Sequence, residues 1–131
     1  MSDETQKLDR TFSIEVNGKA REVFMSMGLL NELCKLIGDV ENIGNVVVDD
    51  NLRETVIVAL LAERSKTGKV AQRFDIEDLD VDPDQVIALV GWATEWVVDF
   101  FMKSAEAAKR VMFKNQGRLN SLMSSPAGTK D

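Results

Sequence analysis

DPDQVIALVGWATEWVVDFFMKSAEAAKRVMFKN, residues 82–115, is the stretch on which the fold of this chain turns. Asp82 is placed to cap a helix. Pro83 suits the first helical position, where its missing N–H would have no partner anyway, and Gln85 stands where a capping box takes Glu or Gln. Val86, Leu89, Val90, Ala93, Val97, Phe100, Phe101, Ser104, Ala108 and Val111 then recur at three- and four-residue steps. That is one apolar stripe of helical period. At about 1.5 Å per residue, a helix over residues 83–115 is roughly 50 Å long, so the rest of a small chain is expected to pack against it. It exceeds the usual length of ~8–20 residues, and a break near Ser104 would divide it.

Upstream, Lys69 to Asp80 connects to this helix. Asp75, Glu77, Asp78, Asp80, Asp82 and Asp84 crowd together, with Phe74, Ile76, Leu79 and Val81 interleaved. The alternation fits a short strand or an extended segment pinned by its apolar members. Asn51 to Arg64 is expected to be a helix, with Asn51 and Glu54 as a capping box and Leu52, Val56, Ala59 and Leu60 on one face. Gly68 would lie just beyond its end. Val46-Val47-Val48 reads as an apolar first turn in preference to a strand. A further helix over residues 27–38 carries Leu29, Leu33, Leu36, Ile37 and Val40, and Gly38 ends it.

Thr11 to Val16 alternates strictly, with Phe12, Ile14 and Val16 on one face. Asn17-Gly18 follows, the strongest short hairpin signal, because a type I′ turn needs positive φ at both central residues. A two-residue loop pairs Val16 with Lys19, Ile14 with Arg21 and Phe12 with Val23; a bulged turn is the alternative. The hairpin spans residues 11–25.

The 131 residues, 44% of them hydrophobic, are read as one α+β, mainly α domain over residues 11–116. A disordered leader, residues 1–10, and a flexible tail, residues 117–131, flank it. No run approaches ~18 uncharged apolar residues, and residues 1–10 hold no apolar signal region. With Cys34 as the one cysteine, a cytoplasmic protein of a reducing compartment is expected. Net charge is −6, unevenly spread. From Lys103 onward six basic residues (Lys103, Lys109, Arg110, Lys114, Arg118, Lys130) face two acidic ones (Glu106, Asp131), giving +4 there and leaving −10 before it. Overall acidity argues against nucleic-acid binding, which needs a basic face.

There is neither histidine nor tyrosine, so the commonest general base is absent. Cys34 has no histidine partner and reads as a small core hydrophobe. Asp80, Asp82 and Asp84 copy the first three ligand positions of a calcium loop, but Gln85 replaces its glycine and Gly91 its last ligand. The helix dipole accounts for acids at one end of the helix and bases at the other. No catalytic, cofactor-binding or metal residues are therefore assigned. A metal-dependent enzyme using the Asp75–Asp84 cluster is the most distant alternative.

The outer face of the long helix is more informative. Trp92, Met102 and Phe113 fall outside the apolar stripe, among Glu95, Asp99, Glu106 and Arg110. Large apolar side chains there mean either burial under another segment or a partner surface. With Asp75, Glu77, Asp78, Lys109, Arg110 and Lys114 they form the candidate partner or self-association surface.

This order of elements resembles the tail assembly chaperones of long-tailed bacteriophages. It runs from a hairpin with Asn17-Gly18-Lys19 through Phe24 to Leu33, leading into a helix, and an acidic connection. A long helix with Trp92, Trp96, Val97, Phe100 and Phe101 and a polar tail complete it. The resemblance covers roughly residues 11–115. It implies a non-enzymatic protein that binds the tape measure protein and helps recruit tail tube protein in the host cytoplasm. Such a protein is absent from the finished particle and often self-associates into a spiral. From the residues themselves no cofactor, membrane or nucleic-acid partner is expected, and the separated charge, meeting head to tail between copies, would build a ring or open spiral. A structural tail component and a small acidic adaptor are the alternatives.

Overall fold

The computed structural model describes residues 8–124. The chain is α+β and mainly α. Strands β1 (Thr11–Val16) and β2 (Lys19–Phe24) form an antiparallel hairpin, followed by helices α1 (Met27–Ile37), α2 (Asn45–Val48) and α3 (Asp50–Leu61). A second, small hairpin joins β3 (Glu63–Arg64) to β4 (Val70–Gln72), and α4 (Pro83–Ser124) closes the order. The described residues divide into two compact units, one ending at Asp99 and the other beginning at Phe100.

The first hairpin has the expected two-residue register, with Val16 opposite Lys19, Ile14 opposite Arg21 and Phe12 opposite Val23. Asn17 (φ 54°) and Gly18 (φ 79°) both take the left-handed conformation that a type I′ turn demands. Period-two alternation then buries Ile14, Val16 and Val23 on one face. Arg21, drawn over that face, reaches past it and donates from Nη2 to Ala62 O at 3.1 Å.

Ser26 starts α1 by accepting the Leu29 N–H on its hydroxyl, and Gly38 (φ 90°) ends it. Leu29, Leu30, Leu33 and Ile37 are its buried residues, while Val40, expected on this face, stays exposed. Val46 of α2, Val56, Leu60 and Leu61 of α3, and Leu89, Val90, Ala93 and Val97 of α4 are buried as well and complete the core of the first unit. Each large aliphatic residue buried this way contributes roughly 1.5–3 kcal/mol of transfer free energy.

Four expected segment boundaries are corrected. First, α3 begins at Asp50, not Asn51. Asp49 Oδ1 accepts the Leu52 N–H at 3.0 Å, because the turn of α2 ends at Val48 and leaves Asp49 extended. Second, α3 stops at Leu61. Arg64 is in β3, and Gly68 (φ 100°) is a turn residue of the second hairpin instead of a helix terminus. Arg64 holds this turn to the helices: Nη1 donates to Gly68 O at 2.9 Å, and Nη2 donates to Glu32 Oε1 at 2.8 Å and Ala59 O at 2.9 Å.

Third, α4 neither breaks at Ser104 nor ends at Asn115. It is helical through Gly117 to Ser124, so the part of the expected tail at residues 117–124 is helix; residues 125–131 lie outside the described residues. A single glycine costs only about 1 kcal/mol in a helix, and no proline interrupts the sequence between Pro83 and Pro126. Fourth, the end of the expected leader is tied down. Arg10 donates from Nη2 to Met25 O at 2.7 Å, its carbonyl accepts the Met25 N–H at 2.7 Å, and its guanidinium lies over the Phe24 ring. Residues 1–7 lie outside the described residues.

Candidate protein-interaction surface

Residues 74–81 run extended except for a 3-10 turn at Ile76–Asp78. Phe74, Ile76, Leu79 and Val81 are half-buried, and Asp75, Glu77, Asp78 and Asp80 between them are exposed, as the alternation requires. Asn17 anchors the segment. Its amide N–H donates to Asp80 O at 2.8 Å, its Oδ1 accepts from Asp80 N at 2.6 Å, and its Nδ2 donates to Asp78 O at 3.3 Å. One residue therefore supplies the left-handed turn and the clamp on the acidic segment. Gln85 does not turn back as a capping-box residue. Its Oε1 accepts the Glu15 N–H at 3.0 Å, fastening the edge of β1 to the start of α4. Among the described residues, no group of three or more His, Cys, Asp or Glu side chains is arranged to hold a metal ion.

Beside the acidic segment is an apolar groove of about 420 Å³, lined by Val47, Ile57, Leu79, Val81, Val86 and Ile87 among others. Val47 and Ile87 remain 53% and 64% exposed at its edge. Sequence reasoning missed it. The available signal was the Val46-Val47-Val48 run, of which only Val46 is buried.

Trp92 belongs to the first unit and is covered by that unit's own chain. Its ring meets Phe12 at a centroid distance of 5.6 Å, and its Nε1 donates to Asp9 O at 2.9 Å. Trp96, one turn on, donates to the same carbonyl at 2.8 Å. Of the two readings for Trp92, burial under another segment is the one observed.

Met102 and Phe113 belong to the second unit and are 62% and 83% exposed. Lys109, Arg110 and Lys114 are exposed around Phe113. The apolar stripe changes character along α4: Leu89, Val90, Ala93 and Val97 are buried, whereas Ser104, Ala108 and Val111 are exposed. By length and composition the stretch Pro83–Leu122 would suffice to cross a membrane, with mean hydropathy 1.3 in its most apolar window. Glu95 and Asp99 interrupt the apolar run, and the helix also supplies buried residues to the core of a folded unit.

Cys34 is half-buried on α1, and burial pushes its thiol above the ordinary value. A raised thiol is a poor nucleophile. No protein-family model, curated protein or solved structure matches the chain.

Proposed function

We propose that this chain is a non-enzymatic assembly chaperone that binds a helical client protein, in the manner of phage tail assembly chaperones acting on tape measure and tail tube proteins. The observation that carries the reading is Phe113, 83% exposed on a helix with Lys109, Arg110 and Lys114 around it. A phenyl ring held in water gains nothing from burial in a monomer, and phenylalanine and arginine are enriched at the core of protein interfaces, where Phe113 and Arg110 would make the contact and Lys109 and Lys114 its polar rim. Client capture also needs no titrating nucleophile, which fits a chain without histidine whose one thiol is raised by burial.

The test is co-expression with a tape measure protein encoded beside this chain. A soluble complex is expected, and Phe113→Asp should abolish it while leaving the helical circular dichroism signal unchanged. A client equally soluble with and without the chain would remove the reading. Recovery of the chain in stoichiometric amounts from purified particles would assign a structural role instead.

A further inference from the structure

We propose that residues 105–122 of α4 pair antiparallel with the same residues of a second copy, making a closed two-fold dimer. This goes beyond the client reading and uses a different face of the helix. Ala105, Ala108, Met112, Asn115, Leu119 and Leu122 follow one another at alternating steps of three and four residues. That spacing is the seven-residue repeat by which one helix packs on another along a seam. The larger members are in water: Met112 is 68%, Leu119 51% and Leu122 76% exposed. Met102 and Phe113 project about a third of a turn away from the seam, at 100° per residue.

The side chains themselves say what covers the seam. In an antiparallel pair the first core position of a heptad faces the fourth position of its mate. Ala105 then meets Leu122, Ala108 meets Leu119 and Met112 meets Asn115. Every small or polar residue is opposite a large one, and each layer occurs twice by symmetry. A parallel pair would instead stack alanine on alanine at one end and leucine on leucine at the other, leaving voids that a core disfavours. Asn115 already donates its Nδ2 to Val111 O at 2.7 Å, so its amide N–H enters the seam with a partner. The charges agree. Lys109 flanks Gln116 of the mate and Arg118 flanks Val111, so no like charges oppose each other, while Arg110 and Lys114 lie on the outer face. An isologous contact of this kind closes at two copies, in contrast to the ring or spiral expected from the separated charge.

Sedimentation equilibrium of the full chain over a concentration series tests it. A doubled mass is expected. Leu119→Asp should weaken the pair by about 100-fold or more, because a carboxylate would be buried against Ala108. Phe113→Asp, off the seam, should leave the doubled mass intact even though it abolishes client capture. A monomeric mass at every concentration, or a doubled mass indifferent to Leu119→Asp, would overturn the proposal. Since Leu119 is exposed in the single chain, circular dichroism of the variant should show full helicity. Orientation is read in a Cys34→Ala background by mixing Ala108→Cys with Leu119→Cys chains. The mixed disulfide should dominate; preferential cross-linking of Leu119→Cys to itself would mean a parallel pair and refute the arrangement.

Discussion

Gly28, in the first turn of α1, and Gly68, in the turn of the second hairpin, stand backbone against backbone. A Cβ at Gly28 would lie 2.9 Å from Thr67 O and 3.0 Å from Gly68 Cα, and one at Gly68 would lie 2.7 Å from Gly28 Cα. Gly68 also has φ +100°. Gly68→Ala should therefore lower unfolding stability by about 2 kcal/mol or more, since strain and collision add. Gly91, helical and facing open space, is the control: Gly91→Ala should raise stability by up to ~1 kcal/mol. Urea midpoints of the two variants should shift in opposite directions.

Glu32 joins two arginines, Arg64 at 2.8 Å and Arg73 at 2.9 Å. The Arg64 side chain is only 9% exposed, so its charge depends on this partner. Glu32→Ala should cost roughly 3 kcal/mol, the magnitude of an uncompensated buried charge. Arg73→Ala, removing the more exposed partner, should cost no more than about 1 kcal/mol. Equal losses from both variants in chemical denaturation would contradict this division.

Trp92 and Trp96 are the only tryptophans of the chain, and both donate to Asp9 O. Deleting residues up to and including Arg10 removes that acceptor and the Arg10 contacts with Met25. Fluorescence emission should shift to longer wavelength, and the melting midpoint should fall. An unchanged spectrum would show that the tryptophans do not depend on this segment.

The Cys34 thiol is raised by burial, so folding favours its neutral form. The sign follows from linkage: its contribution is fully present below the unfolded thiol value of about 8.5 and is lost as pH rises through the higher folded value. Stability should be level in this respect up to about pH 8 and decline above it, and Cys34→Ala should flatten that decline. Thiol-reagent kinetics should also have their midpoint above that of a free cysteine.

Salt separates two modes of self-association. At ~0.5 M the screening length is only a few ångströms, so a head-to-tail contact between residues 75–84 and 109–114 of different copies would dissociate. The apolar seam should keep its doubled mass, or strengthen, under the same conditions. Light scattering at low and high salt reads the difference directly.

How much was legible in advance depended on how local the cause was. The hairpin of β1 and β2 could be read because Asn17-Gly18 favours a tight turn and the strict alternation from Thr11 to Val16 marks a strand, but its register stayed open to a bulged turn until the structure set Ile14 opposite Arg21. The start of α4 was equally plain at Asp82-Pro83. The second hairpin was not, because strands as short as Glu63–Arg64 and Val70–Gln72 show no periodicity, and Gly68 suits a helix terminus as well as a turn. Asp49 and Asn51 are comparable caps; the end of α2 at Val48 chose between them. For the candidate surface, displacement from the stripe singled out Met102 and Phe113, which are exposed, but equally Trp92, which is covered, and the groove beside Ile87 was missed.

By itself the sequence determined the backbone conformations imposed by Asn17-Gly18 and Pro83, the helical face of α4 and the separation of charge along the chain, because these depend on neighbours a few residues apart. Tertiary structure alone decided which apolar side chains are covered. Trp92 and Phe113 look alike on a helical wheel, both large and both off the stripe. Trp92 is covered by Phe12 and bonded to Asp9, residues about eighty positions earlier in the chain, while Phe113 is left in water. Burial is set by what the rest of the chain brings to a side chain, and no local period carries that information.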